Sequence, residues 1–292
     1  MNKNTLIYNN LKRIINEPYF LIKNIKNAIN TIYYYYLSKK NDFDLKSFRE
    51  NEIKKYYSLN FDYNNSLNNL NEKLKKLGKE NFKSSNSNHW LLFSALSLQK
   101  KKKINNILEI GTFTGEGTEI LSELFPFSKI DTVDLPESDP IFSDTYGNPD
   151  SKQYDKYISK RNRVLNQPNV SFHEINSFFL LTEFDGNKFD LIWVDGGHLY
   201  PDVAWDLCNC YHLCNSGGYI LIDDIKLSNE MPIIDNYKNQ PKYVNDDSYK
   251  TIEYILNRTS LDVTYFIKRD RGKYLANPFK RKYIAVLKIN EK

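Results

Sequence analysis

The run Ile107-Leu-Glu-Ile-Gly-Thr-Phe-Thr-Gly-Glu-Gly-Thr118 constrains the fold more than any other stretch of the chain. A short strand, Ile107 to Ile110, leads into a turn punctuated by Gly111, Gly115 and Gly117, and the pattern predicts a helix from Gly115 to Phe125. Open α/β sheets use this order of elements to present backbone N–H groups and a helix N-terminus to a polar ligand. The glycine spacing is not the G-x-G-x-x-G of a dinucleotide site, and no Gly-Lys-Ser/Thr of a phosphate loop follows. Glu109 places a carboxylate two residues before the first glycine, which repels a pyrophosphate and suits a cationic ligand.

Three further strands end in acids. Lys129 to Leu135 alternates like a second strand and carries Asp134 at its end, where an acid accepts hydrogen bonds from ribose hydroxyls. Phe189 to His198 is a buried-strand run that opens into Asp195 and His198, and Gly217 to Asp224 is another that ends in Asp223 and Asp224. Ligands of open α/β sheets bind outside the carboxyl ends of the strands, so these acids converge on one crevice. Asp195, Asp223 and Asp224 bring three carboxylates within reach of one hard cation, and all-oxygen ligation suits magnesium or calcium.

With these motifs in this order, the chain resembles the class I S-adenosylmethionine-dependent methyltransferases, and within them the metal-dependent O-methyltransferases of the catechol and macrolide-sugar kind. The resemblance covers roughly residues 86 to 292. Glu109 to Gly115 matches their first motif, with Phe113 where many relatives have a glycine. Asp134 matches the ribose-binding acid, and Val194 to His198 and Gly217 to Asp224 match the fourth- and fifth-strand motifs. The resemblance implies a Rossmann-like seven-stranded sheet with helices on both faces. It implies S-adenosylmethionine held by Glu109, Gly111, Thr112, Phe113, Gly115 and Asp134, with Asn176 and Ser177 near the adenine. Asp195, Asp223 and Asp224 are the implied magnesium ligands. His198 stands where many relatives carry a lysine base, so His198 and Asp195 are the expected catalytic pair. The implied reaction is O-methylation of a sugar or other small polar acceptor. A hydroxylase-like enzyme on the same fold, similar to the cephalosporin hydroxylases, and a non-catalytic binding subunit are the alternatives.

The chain has 292 residues, 40% of them hydrophobic, with 17 Phe and 22 Tyr, enough for a substantial core. A net charge of +5 without a concentrated basic stripe argues against nucleic acid as partner. Pro18 and repeated Lys and Asn interrupt any apolar leader, and no run reaches the ~20 residues of a membrane span, so a cytoplasmic protein is expected. Cys208, Cys210, His212 and Cys214 crowd one short helix. Side chains on such a helix diverge and do not surround one zinc ion, so three reduced thiols are expected.

Residues 1–85 read as a helical extension, rich in Lys, Asn and Tyr, and residues 86–292 as the catalytic domain. Ile22, Ile25, Ile29, Ile32 and Tyr36 recur at helical spacing, a face for a partner subunit or the chain's own domain, or for a membrane surface. Helices are expected at 45–57, 67–77, 88–98, 152–165, 203–213 and 249–258. Insertions at 136–168 and 226–247 fall at the ligand edge and are loop-like. Trp193 and Trp205 are expected in the core, His89 and His173 are set aside as catalytic groups, and Tyr146 and Tyr200 are placed at the acceptor. Two final strands are expected at 261–268 and 283–289, a pair similar to the antiparallel sixth and seventh strands of that methyltransferase family.

Overall fold

The computed structural model describes residues 42–100, 102–147, 151–227, 246–259 and 261–290, with isolated positions between 29 and 39. Most of the expected helical stripe from Ile22 to Tyr36, and nearly all of the insertion at 226–247, lie outside the described residues. The described elements begin with helices α1 (Leu45–Ser58), α2 (Tyr63–Lys76) and α3 (His89–Ser97), then β1 (Asn106–Ile110), α4 (Glu116–Leu124) and β2 (Lys129–Asp134). They continue with α5 (Phe142–Tyr146), α6 (Lys152–Leu165), β3 (Val170–Glu174), α7 (Leu180–Glu183), β4 (Phe189–Val194) and α8 (Asp202–Leu213). β5 (Cys214–Ile225), α9 (Asp247–Leu256), β6 (Leu261–Ile267) and β7 (Tyr283–Ile289) close the order.

All seven strands form one sheet in the order β3-β2-β1-β4-β5-β7-β6. β3, β2, β1, β4 and β5 pair in parallel, and β7 runs antiparallel between β5 and β6. The direction in which the strand order grows reverses at β1 and β4, so a crevice opens where their carboxyl ends part. The central strands β1, β4 and β5 are buried on both faces, and successive side chains alternate between them. Ile192 and Val194 of β4 pack with Val203 and Leu207 of α8 on one side, and Leu191 and Trp193 pack with Leu91, Leu92 and Leu121 on the other.

α1 and α2 are not set apart from that core. Tyr56 of α1 lies edge-on to Phe266 of β6 at 4.8 Å, Phe61 reaches Tyr219 of β5 at 6.3 Å, and Leu70 and Leu74 of α2 are fully buried in the same cluster. Asp44 caps α1 by accepting from the Lys46 and Ser47 N–H groups, and Asp62 caps α2 by accepting from Asn65 N–H. The insertion at 136–168 carries a second, short helix, α5, besides the expected α6. No helix among the described residues is long and apolar enough to cross a membrane.

Candidate active site

The turn after β1 is built from backbone that tolerates few residues. Gly111 has φ +97°, and a Cβ there would lie 2.5 Å from the Asp195 carbonyl oxygen, so the ends of β1 and β4 approach only because position 111 has no side chain. Phe113 also holds a left-handed conformation, at φ +46°. Its N–H donates to Asp134 Oδ2 at 2.6 Å, and the Tyr146 hydroxyl donates to the same oxygen. The Leu135 N–H donates to Asp134 Oδ1 at 2.8 Å, leaving that oxygen free to accept once more. Burial and the neighbouring Asp134 charge push the Tyr146 phenol far above its ordinary range, so it remains a donor. Tyr146 therefore belongs to the β1–β2 turn and not to an acceptor pocket.

Glu109 is turned beneath α4. Its Oε2 accepts from Thr118 Oγ1 at 2.5 Å and Thr132 Oγ1 at 2.7 Å, and Thr132 Oγ1 is 2.6 Å from Thr112 Oγ1. Burial outweighs those hydroxyls and raises the Glu109 carboxyl to about 7. Gly115 supplies the left-handed residue, φ +75°, from which α4 starts.

Two cavities meet at this turn. One, of about 500 Å³, is lined by Asp134, Ile141, Asn176, Ser177, Phe178 and Trp205. Asn176 accepts from the Phe178 N–H at 3.0 Å and donates to Asp139 Oδ2 at 3.0 Å, which fixes the loop after β3. The Phe178 and Trp205 rings stack at 4.2 Å and 7°, and Trp205 Nε1 donates to the Phe178 carbonyl at 3.1 Å. Trp193 is buried as expected, but Trp205 is 44% exposed and forms a wall of the cavity. The other cavity, of about 610 Å³, is lined by Ser87, His89, Asp223, Lys268, Arg269 and Arg271, among others. Gly111, Phe113 and Asp195 line both. His89 is thus at the cavity after all. Burial lowers it to about 4, and its Nδ1 lies 2.7 Å from Ser87 Oγ, so it stands there neutral. His173 bridges Asp131 and Glu183 on β3, away from either cavity.

The expected metal trio is brought together, but around lysines. Lys268, just past β6, places Nζ on Asp223 Oδ2 and 2.6 Å from Asp224 Oδ1, and Lys282 Nζ lies 2.5 Å from Asp224 Oδ2. Burial works against the Lys268 ammonium, but Asp223 and Asp224 outweigh it and raise its pKa. Burial would likewise raise Asp224, yet Lys268 and Lys282 hold its carboxyl below the usual carboxylate range. Burial and the Asp223 charge push the Asp195 carboxyl well above the usual carboxylate range. Among the described residues no three acids, histidines or cysteines are arranged to hold a metal ion. The donor set of Asp195, Asp223 and Asp224 therefore does not fit magnesium as it stands: two ammonium groups neutralise the charge a divalent ion would need. His198 Nε2 is 3.7 Å from Asp195 Oδ1 and 3.8 Å from Asp224 Oδ2, and burial lowers its pKa. His198 and Asp224 line neither cavity.

Lys268, Phe178 and His89 are the residues that sequence reasoning passed over. A lysine directly after the apolar run Val263–Ile267 was the signal for the first, since β6 had to end at the same sheet edge as the acids. Cys208 is exposed and Cys210 and Cys214 are buried, where burial pushes the Cys214 thiol up to about 12.

Residues 108–225 match a family model described as a methyltransferase domain. The fold is similar to that of the O-methyltransferase TomG from Streptomyces achromogenes, solved in complex with S-adenosylmethionine, at 17% identity over 81% of this chain and 94% of that chain, with a TM-score of 0.50. The O-methyltransferase from Bacillus cereus, solved with S-adenosylhomocysteine, is 18% identical over 76% of this chain and 91% of that one, with a TM-score of 0.47. Comparison with curated proteins gives no match. Residues 108–225, from β1 to the end of β5, thus match a methyltransferase domain, and the seven-stranded order around them is similar in fold to an O-methyltransferase solved with S-adenosylmethionine.

Proposed function

We propose that the chain is an S-adenosylmethionine-dependent O-methyltransferase acting on a hydroxyl of a sugar or another small polar acceptor. The observation that carries the reading is the meeting of two cavities at Gly111, Phe113 and Asp195. The smaller cavity fits the nucleoside of the donor. Asp134 Oδ1 retains capacity for a ribose hydroxyl, and the Phe178–Trp205 stack offers an aromatic face to a base. The larger cavity is more polar and takes the acceptor. When bound, the donor supplies a methyl group on a sulfonium sulfur, which passes to the acceptor oxygen as the carbon–sulfur bond breaks.

Asp195 stands at the junction and is the group we assign to the acceptor's proton. Its raised pKa makes its carboxylate a stronger base than an exposed aspartate, so it draws the hydroxyl proton as the oxygen attacks. His198, off both cavities, lies 3.7 Å from Asp195 and 3.8 Å from Asp224 without a hydrogen bond to either. Magnesium has no part in this reading, because Lys268 and Lys282 already engage Asp223 and Asp224.

Calorimetry with S-adenosylhomocysteine tests the donor half. One molecule should bind per chain, and Asp134→Ala should weaken it at least tenfold, about 1.4 kcal/mol or more. Absence of binding to the wild-type chain would remove the reading. On an acceptor found in a panel of glycans and phenols, Asp195→Asn should lower kcat roughly a hundredfold to ten-thousandfold while donor affinity stays within about twofold.

A further inference from the structure

We propose that Lys268 is a built-in cation that takes the place of a divalent metal ion in this chain, and that removing it opens a metal site between Asp195, Asp223 and Asp224. The inference rests on the methyltransferase reading for its meaning, but on side-chain geometry for its evidence. Lys268 leaves the end of β6 and reaches across β7 to the end of β5, where its Nζ touches one oxygen of each acid in the pair. Asp223 is 1% exposed and Lys268 9%. An ion pair this deep forms only if each charge finds its partner, because neither is hydrated. Lys282 adds a second ammonium on Asp224 from the start of β7.

An ammonium has three N–H groups, and two of those on Lys268 are used by the acids. The third has no protein partner among the described residues, and Lys268 lines the acceptor cavity beside Asp195. A positive charge with one free donor, beside the group that takes the acceptor's proton, meets the electrostatic need that a metal would otherwise meet. Two ammoniums against two carboxylates also leave no net charge to draw a hard cation, which would ask for about six oxygen ligands. Deleting the Lys268 charge reverses that balance, since Asp223 would then be buried without compensation and would accept a divalent ion.

The test uses the full chain saturated with S-adenosylhomocysteine and titrates Mn²⁺ alone, read by loss of the free-ion paramagnetic resonance signal. The wild-type chain should leave the Mn²⁺ signal unchanged. Lys268→Met should take up one Mn²⁺ per chain, about tenfold tighter than wild type or better, and Asp223→Asn added to it should abolish the uptake. Lys268→Gln, which keeps a polar group in the recess, serves if the methionine variant does not fold; folding is checked by the thermal transition. Uptake of one Mn²⁺ by the wild-type chain, removed by Asp223→Asn, would overturn the proposal, as would a folded Lys268 variant that takes up none. The wild-type measurement decides alone if neither variant folds. Failure of S-adenosylhomocysteine to bind would instead strike the methyltransferase reading and leave the metal comparison standing.

Discussion

Beneath α4, the Glu109 carboxyl is raised from the usual 4.5 to about 7 because burial disfavours its charge more than two threonine hydroxyls favour it. Its native form therefore holds a proton more tightly than its unfolded form, and its contribution to stability is complete below about pH 4.5 and falls as pH rises through 7. The loss is on the order of 3 kcal/mol at most, at about 1.4 kcal/mol for each tenfold difference in proton affinity between the folded and unfolded chain. Asp206, raised to about 6, slopes the same way. His89, lowered to about 4 by burial, slopes the other way between about 4 and 6.5, since its unfolded form binds the proton first. The wild-type curve mixes these contributions, so the informative quantity is the difference between wild type and Glu109→Gln. Urea denaturation should show wild type losing ground to the variant from pH 4.5 to 7 and beyond. A pH-independent difference would mean that Glu109 is charged in the fold. The acid's place in the glycine turn was legible in the sequence, whereas its inward orientation was not, because it depends on Thr132 of a different strand.

At the scale of elements, the most legible were those with local causes. The helix Lys152–Leu165 and the strand Tyr283–Ile289 have the boundaries their patterns predict, one fixed by the Ser151 cap and the other by an apolar run broken only at Lys288. α5 was missed because a five-residue helix shows too little periodicity to separate from a loop. The wall formed by Phe178 and Trp205 was hidden too, since it pairs the loop after β3 with α8, and neither segment alone shows that its aromatic residue faces a cavity. The junction of β1 and β4 gives a sharper prediction. Gly111→Ala must relieve a Cβ 2.5 Å from the Asp195 carbonyl oxygen and also hold φ near +97°. A cost of about 2–4 kcal/mol is expected from the backbone conformation and the overlap together. Relief can come only by parting the two strand ends, so donor affinity should drop along with the melting temperature. An unchanged affinity would show that the turn yields without moving the cavities.

Across the whole molecule, the expected division at residue 85 does not divide the core. Tyr56 touches Phe61, Tyr63 and Phe266, and its hydroxyl donates to Asn88 Oδ1 at 2.8 Å, just before α3. Tyr56→Ala should therefore cost about 3–5 kcal/mol, as for other large aromatic truncations in a core. Denaturant unfolding followed by tryptophan fluorescence and by circular dichroism should give one coincident transition, shifted to lower denaturant. Two separate transitions would mean that α1 and α2 fold independently of the sheet. Composition alone suggested the division, because the surface of these helices is rich in Lys and Asn while their few apolar residues are spent on the sheet. The acid-ended strands revealed the crevice from sequence because each motif is local. Lys268 escaped notice because its partners lie more than 40 positions away and reach it only through the strand order.

That strand order also sets a sequence of events in time. β7 follows the other six strands of the sheet in the chain, yet it occupies an interior place, and among the described residues β6 has no hydrogen-bonded strand neighbour other than β7. A ribosome delivering this chain from its amino end can finish the glycine turn, the cavity beside Asp134 and the acids of β4 and β5 long before residues 283–289 emerge. Until then β6 has no β7 to pair with, so Lys268 at its end is not yet held against Asp223 and Asp224, and one edge of β5 is open. The nascent protein thus passes through a stage in which the ends of β1 and β4 are shaped while Lys268 is not yet held and two carboxylates stand without it. Completion of the crevice at Lys268 waits on the insertion of β7 between β5 and β6, so a chain stalled or clipped just short of β7 should be folded in large part yet lack the Lys268 contact with the two acids.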